Sequence, residues 1–160
     1  MIVVSDATPL IALARIGRLD LLRELFDAIL IPEAVHEEVV ARSPGRSGAS
    51  EVGQAEWIRR QVPADRRRVN YLRADLDWGE AEALVLAEEV AADWVLVDEP
   101  KARLAAELLG LRFMGTVGVL LLAKRLGKIS AVRPVLDELR ARKFRLSERV
   151  YSAVLAEAGE

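Results

Sequence analysis

Three short, wholly apolar runs set the tightest limit on how this chain can fold. Ile2-Val3-Val4, Ala28-Ile29-Leu30-Ile31 and Trp94-Val95-Leu96-Val97 each end at a polar residue or at proline. An apolar run of that length with no polar alternation suits a strand buried on both faces, as in a parallel sheet. Residues 111–114 make a shorter fourth strand. Between these runs the apolar spacing turns helical, over residues 10–16, 19–26, 33–41, 51–61, 79–91, 100–109 and 117–126. The segment 117–126 is apolar enough to be buried on most sides. Two amphipathic helices are expected at 131–142 and 147–158. Residues 66–72 are ambiguous, since Val69, Tyr71 and Leu72 could form a weak edge strand. Residues 43–50 hold two Gly, one Pro and three Ser and form the clearest flexible segment. Strands alternating with helices predict an α/β layer fold with a parallel sheet and right-handed crossovers.

Composition narrows the function classes. The 160 residues suffice for one domain with a core of its own. At 52% hydrophobic and 30% charged, the chain is not a disordered tail. The balance of 23 Lys plus Arg against 25 Asp plus Glu excludes a strongly basic nucleic-acid coat but leaves room for a local basic stripe. Cysteine is absent, so disulfides, Cys-ligated metals and a cysteine nucleophile are excluded. The start lacks a signal-peptide pattern. The longest apolar run, 117–123, has seven residues, against about twenty for a membrane helix. A cytoplasmic protein with no membrane span is expected.

The placement of acidic residues is more informative than their number. Asp6 and Asp98 each follow a buried strand directly. In open parallel sheets ligands bind beyond the carboxyl ends of strands, where two such carboxylates could converge. Equally, each could simply cap the helix that follows. Glu38 lies between Val35 and Val39, at the edge of a helix's inner face. Glu80 and Glu82 open another helix and point about 200° apart around its axis. Both border apolar residues, so periodicity does not choose between them, and either alone could merely offset the helix dipole. Several carboxylates brought together repel one another and need a cation. An all-oxygen set suits Mg²⁺ or Mn²⁺ better than Zn²⁺. Such ions support metal-dependent phosphodiester hydrolysis. The lone His36 reads as surface or structural. A dehalogenase-type phosphotransfer site would need a second Asp where Thr8 stands, and no Walker phosphate loop is present.

Five stretches carry a resemblance, in chain order: Val3-Val4-Ser5-Asp6-Ala7-Thr8-Pro9-Leu10-Ile11, Ile31-Pro32-Glu33-Ala34-Val35-His36-Glu37-Glu38-Val39, Gly79-Glu80-Ala81-Glu82-Ala83-Leu84, Leu96-Val97-Asp98-Glu99-Pro100-Lys101-Ala102-Arg103 and Gly115-Thr116-Val117-Gly118-Val119-Leu120. The sequence resembles the PIN-domain ribonucleases, and within them the VapC-like toxins of the DUF3368 subgroup. The resemblance implies a three-layer α/β/α sandwich around a short parallel sheet. It also implies a single PIN-like domain over 1–160 with a C-terminal helical extension at about 131–158. Asp6, Glu38, Glu80 and Asp98 fall on the family's acidic positions, with Asp6 and Asp98 as the main metal ligands for Mg²⁺ or Mn²⁺. Glutamate at 80 departs from the commoner aspartate, which shifts the carboxylate by about 1.5 Å. Thr8 and Thr116 are possible auxiliary polar residues, and Glu82 and Glu99 possible substitutes in the cluster.

The implied activity is RNA hydrolysis by a metal-activated water, leaving a 5′-phosphate and a 3′-hydroxyl. A homodimer and a small antitoxin partner are also implied. The expected RNA contacts are Arg59, Arg60, Arg66, Arg67, Arg68, Lys101 and Arg103. A second basic stretch runs through Arg140, Arg142, Lys143, Arg145 and Arg149. The apolar residues over 10–26 could exceed the needs of the core and serve an interface. The competing expectation is a catalytically silent binding or regulatory module, marked by carboxylates pointing apart or capped by internal arginines.

Overall fold

The computed structural model describes residues 1–160. Five parallel strands lie in the order β3-β2-β1-β4-β5: β1 (Val3–Ser5), β2 (Ile29–Pro32), β3 (Ile58–Gln61), β4 (Trp94–Leu96) and β5 (Phe113–Met114). Helices cover both faces, giving the expected α/β architecture. Alternate strand residues point to opposite faces, and the core divides accordingly. Val3, Ile29, Ile31 and Leu96 pack into the larger half with α1 (Ala7–Arg15) and α2 (Asp20–Phe26). Val4, Val95 and Val97 pack into the smaller half. These strands are therefore apolar along their length because side chains on both faces have a helical layer to meet; Ile2, just before β1, is exposed.

The chain leaves β1 for β2 and β3 on one side, then returns to β4 on the other side of β1. That reversal opens a crevice at the carboxyl ends of β1 and β4, the usual ligand position in such sheets. Register is tight there: Ser5 pairs with Leu96, and Asp6 N–H donates to Leu96 O at 3.0 Å.

Two segments differ from expectation. Residues 51–61 are not one helix: α4 (Ala49–Gln54) ends and β3 pairs with β2 from Ile29↔Ile58 to Pro32↔Gln61. Only Ile58 of that strand is buried, while Arg59, Arg60 and Gln61 are exposed. A charged edge strand carries no apolar periodicity to betray it, yet β2 needs its backbone partners. Residues 66–72 are not an edge strand but helix α5 (Arg66–Leu72). The Asp65 carboxylate caps it by accepting from Arg68 N–H at 3.0 Å, and Val69 is buried.

After β2 comes α3 (Glu33–His36), which continues into a π-helical turn over Glu37–Ala41. Then α6 (Trp78–Glu89), the crossover to β4, buries every residue from Gly79 to Ala87. It is a core helix, which is why it lacks a polar face. Beyond β4 come α7 (Pro100–Leu108) and α8 (Thr116–Arg125), followed by α9 (Arg133–Ala141) and α10 (Glu148–Glu157). Of α8, only Thr116, Val119, Leu120 and Ala123 are fully buried, a narrower stripe than its composition suggests. Of the apolar stretch over 10–26, Leu10, Leu13, Leu21, Leu22 and Phe26 are buried in the core, while Ile11, Ile16 and Leu25 are only partly buried. Exposed leucines lie on α7, at Leu104 and Leu108, and at the end of α8, at Leu126. No helix is long and apolar enough to cross a membrane.

Candidate functional site

Asp6 occupies the N-cap position of α1, but its side chain makes no capping hydrogen bond. The carboxylate is instead buried at the crevice, at 5% exposure. Burial pushes its pKa well above the usual carboxylate range; the Ala7 N–H opposes this, and the negative charges of Asp77, Glu80 and Glu38 add to it. Four acidic groups thus act on one another around the end of β1.

The first turn of α6 supplies two of them. Asp77 and Glu80 form a capping box: Glu80 N–H donates to Asp77 Oδ1 at 2.8 Å, and Asp77 N–H to Glu80 Oε1 at 3.1 Å. This fixes one oxygen of Glu80 and leaves the other, Oε2, buried with no partner. Burial, with Asp77 and Glu99 nearby, raises the Glu80 pKa to about 7, against the pull of the Asp77 N–H. Gly79 lies between the two acids and brings the helix close. A Cβ there would stand 3.2 Å from Asp6 Oδ1 and 3.3 Å from Glu38 Oε2. Glu38 projects from the π-helical turn into the open side of the cleft, and partial burial and Asp77 raise its pKa. Such π-helical turns recur at functional sites because they re-aim side chains. The cleft in front has a volume of about 630 Å³ and is bordered by Glu33, Glu37, Glu38, Arg42, Asp77 and Trp78.

Asp98 is oriented differently. Its Oδ1 accepts from Thr116 N–H at 2.8 Å and its Oδ2 from Thr116 Oγ1 at 2.6 Å. Arg103 approaches Oδ1 to 3.6 Å and donates through Nε to Val97 O. Asp98 therefore closes the start of α8 rather than capping α7, and it is not among the charges that raise Asp6. Glu82 is also committed: Oε1 accepts from Ala34 N–H and Oε2 from Arg66 Nη1, both at 2.9 Å. The charge of Glu80 acts on Asp6, whereas Glu82 also borders the cleft but has both oxygens engaged. Glu99 is exposed but close enough to act on Glu80. Thr8 is exposed, while Thr116 is fully buried against Asp98. His36 is half-buried, with Nδ1 3.2 Å from Arg60; burial and that guanidinium lower its pKa.

The four acids singled out in the sequence thus divide. Asp6, Glu38 and Glu80 act on a common crevice, and Asp98 is tied to Thr116 beside it. As the side chains stand, no set of three or more His, Asp or Glu is placed to hold a metal ion. Sequence reasoning missed Asp77. Its signal was present, since Asp77-Trp78-Gly79-Glu80 is an Asp-x-x-Glu capping pattern before an apolar run. Among the basic residues, Arg60 pairs with Glu33, Arg66 with Glu82, Arg68 with Glu88 and Arg103 with Asp98. Arg59, Arg67 and Lys101 are exposed and form no ion pair.

The sign of the pH dependence follows. A carboxyl whose folded-state pKa is raised favours folding in its protonated form, so stability falls as pH climbs from its unfolded to its folded value. For Glu80 that window runs from 4.5 to about 7, and Asp6 adds a loss of the same sign. Urea unfolding of the metal-free protein at pH 5 and pH 8 is expected to show lower stability at pH 8. Glu80→Gln should recover about 1–2 kcal/mol there, an amount reduced for solvent screening at the cleft.

No curated protein matches the chain. The family model described as DUF3368: PIN domain matches residues 2–160, and the chain belongs to that PIN-domain family.

Proposed function

We propose that this protein is a metal-dependent endoribonuclease acting in the cytoplasm, and the VapC-like toxin of a type II toxin–antitoxin pair. The observation that carries the nuclease reading is Glu80 Oε2, a buried carboxylate oxygen without a partner in a crevice shared with Asp6 and Glu38. Uncompensated negative charge of that kind is relieved by a cation. The free donors are all oxygens, which fits Mg²⁺ or Mn²⁺. Asp6 and Glu80 would hold the ion with Glu38, and Asp98 would flank it from the neighbouring strand end. When bound, the ion supplies activation of water and stabilisation of charge on the phosphodiester oxygens.

The chain's own residues do the rest. Thr116 holds Asp98 in one orientation through two hydrogen bonds. The capping box fixes Glu80 at the crevice. Arg59, Arg67 and Lys101 are free to contact phosphates, which positions RNA without reading its bases. Family membership and the ordered motifs support the toxin role, with a homodimer and a small antitoxin as its partners. Leu104 and Leu108, one turn apart and exposed on α7, offer apolar surface to another protein.

Purified protein is expected to cleave single-stranded or structured RNA with Mg²⁺ or Mn²⁺ and to stop in EDTA. Cleavage that persists in EDTA, or a folded protein that binds neither ion, would overturn this reading.

One observation favours a second reading, a catalytically silent PIN-like binding or regulatory module. Asp98 is engaged by Thr116 and Arg103, and Glu82 by Arg66, so two acids are already satisfied internally. Such a module would bind its partner with no cleavage in either metal.

A further inference from the structure

Trp78 is the most exposed of the three tryptophans and packs into neither half of the core. Trp57 and Trp94 pack, partly buried, against the larger half. Trp78, the first residue of α6, is 46% exposed and stands at the wall of the acidic cleft. Leaving so large an apolar surface in water is unfavourable. The ring is nonetheless held in place. The Arg73 guanidinium lies 4.1 Å from the ring centroid. Arg73 in turn donates through Nη1 to Leu76 O at 3.3 Å, and its Nε is buried without a partner. One face of the indole is thereby occupied by a fixed cation. Arg42 borders the same cleft; its side chain is 75% exposed and pairs only with Glu37 at the surface.

We propose that Trp78 is a stacking platform for an unpaired nucleobase at the wall of this cleft. The proposal rests on the nuclease reading for its substrate. The physical reason is charge. An acidic cleft repels phosphates, so affinity close to the carboxylates has to come from the uncharged part of a nucleotide. Base–aromatic stacking supplies it, and any base offers a face. Bases inside a duplex are stacked on one another and cannot reach the ring. Arg73 holds the indole through a cation–π contact so that little freedom is lost on binding. Arg42, at the rim, can exchange its surface carboxylate for a phosphate.

The test uses the full chain and a fluorescein-labelled single-stranded RNA, with anisotropy read in EDTA so that nothing is cleaved. Trp78→Ala should weaken binding on the order of 10-fold, and Trp78→Phe should retain most of it. Replacing the bases of the same RNA with abasic sites should weaken wild-type binding and erase the difference between wild type and Trp78→Ala. A merely structural role for Trp78 would leave that difference intact on the abasic strand. Equal binding of base-bearing RNA by wild type and Trp78→Ala, or an undiminished difference on abasic RNA, overturns the proposal. Cleavage in Mg²⁺ or Mn²⁺ is scored separately. Cleavage with unchanged kcat/KM in Trp78→Ala sinks the platform and leaves the nuclease. Base-dependent binding without any cleavage sinks the nuclease and leaves the platform.

Discussion

Asp6→Asn is expected to lower metal-dependent RNA cleavage by on the order of 10²-fold or more while making the metal-free protein more stable at pH 8. The two effects share one cause. Asp6 is buried among Asp77, Glu80 and Glu38, and its ionised form is unfavourable there without a cation. Asparagine keeps the shape and an acceptor oxygen and removes the charge. The cost of ionising a buried carboxyl as pH rises is then gone, and the proposed cation would lose a buried ligand. Thermal melts at pH 5 and pH 8, with and without Mn²⁺, check both halves. Wild type should gain more from Mn²⁺ than the variant does, because ligand that binds only the folded state stabilises it by mass action. A variant that cleaves at the wild-type rate would remove Asp6 from the site. A variant less stable than wild type at pH 8 would show that the carboxylate is satisfied internally.

Gly115→Ala should cost about 1–3 kcal/mol of stability and reduce cleavage with it. The Gly115 backbone is extended, so positive φ is not the issue; space is. A Cβ there would overlap the Arg103 guanidinium and stand 2.5 Å from Asp98 Oδ1. Arg103 can swing away, since its side chain reaches solvent. Asp98 cannot yield without loosening its two bonds to Thr116. Denaturant unfolding gives the first number, and cleavage by the variant at a temperature where it is fully folded gives the second. Lost activity in a folded variant would tie the orientation of Asp98 to catalysis. Full activity would leave the Asp98–Thr116 pair as a structural clasp at the start of α8.

The sheet was legible in the sequence because its central strands are buried on both faces. Val3, Val4, Val95 and Leu96 must all be apolar when helices lie above and below them. The β5 edge was legible as the short run at 111–114, but the β3 edge was not, because Arg59 and Arg60 face water on a strand whose role is to pair with β2. Asp6 and Asp98 could be placed at strand ends by counting residues from the apolar runs. Their surroundings could not be read in the same way.

Local rules also left Glu80 and Glu82 equivalent, two residues apart on a helix buried all round. The decision between them was made by what each meets across the fold: Arg66 and the Ala34 N–H for Glu82, the Asp6 crevice for Glu80. The same holds for Asp98, whose partner Thr116 lies eighteen residues on, across the β4–β5 crossover. The sequence by itself determined the layers, the order of the strand-end acids and the lack of any thiolate ligand, because hydropathy and composition are one-dimensional properties of the chain. Which carboxylates are satisfied and which remain unpaired was decided only by tertiary structure, since hydrogen bonding and charge interaction act over a few ångströms between residues that the chain order keeps far apart.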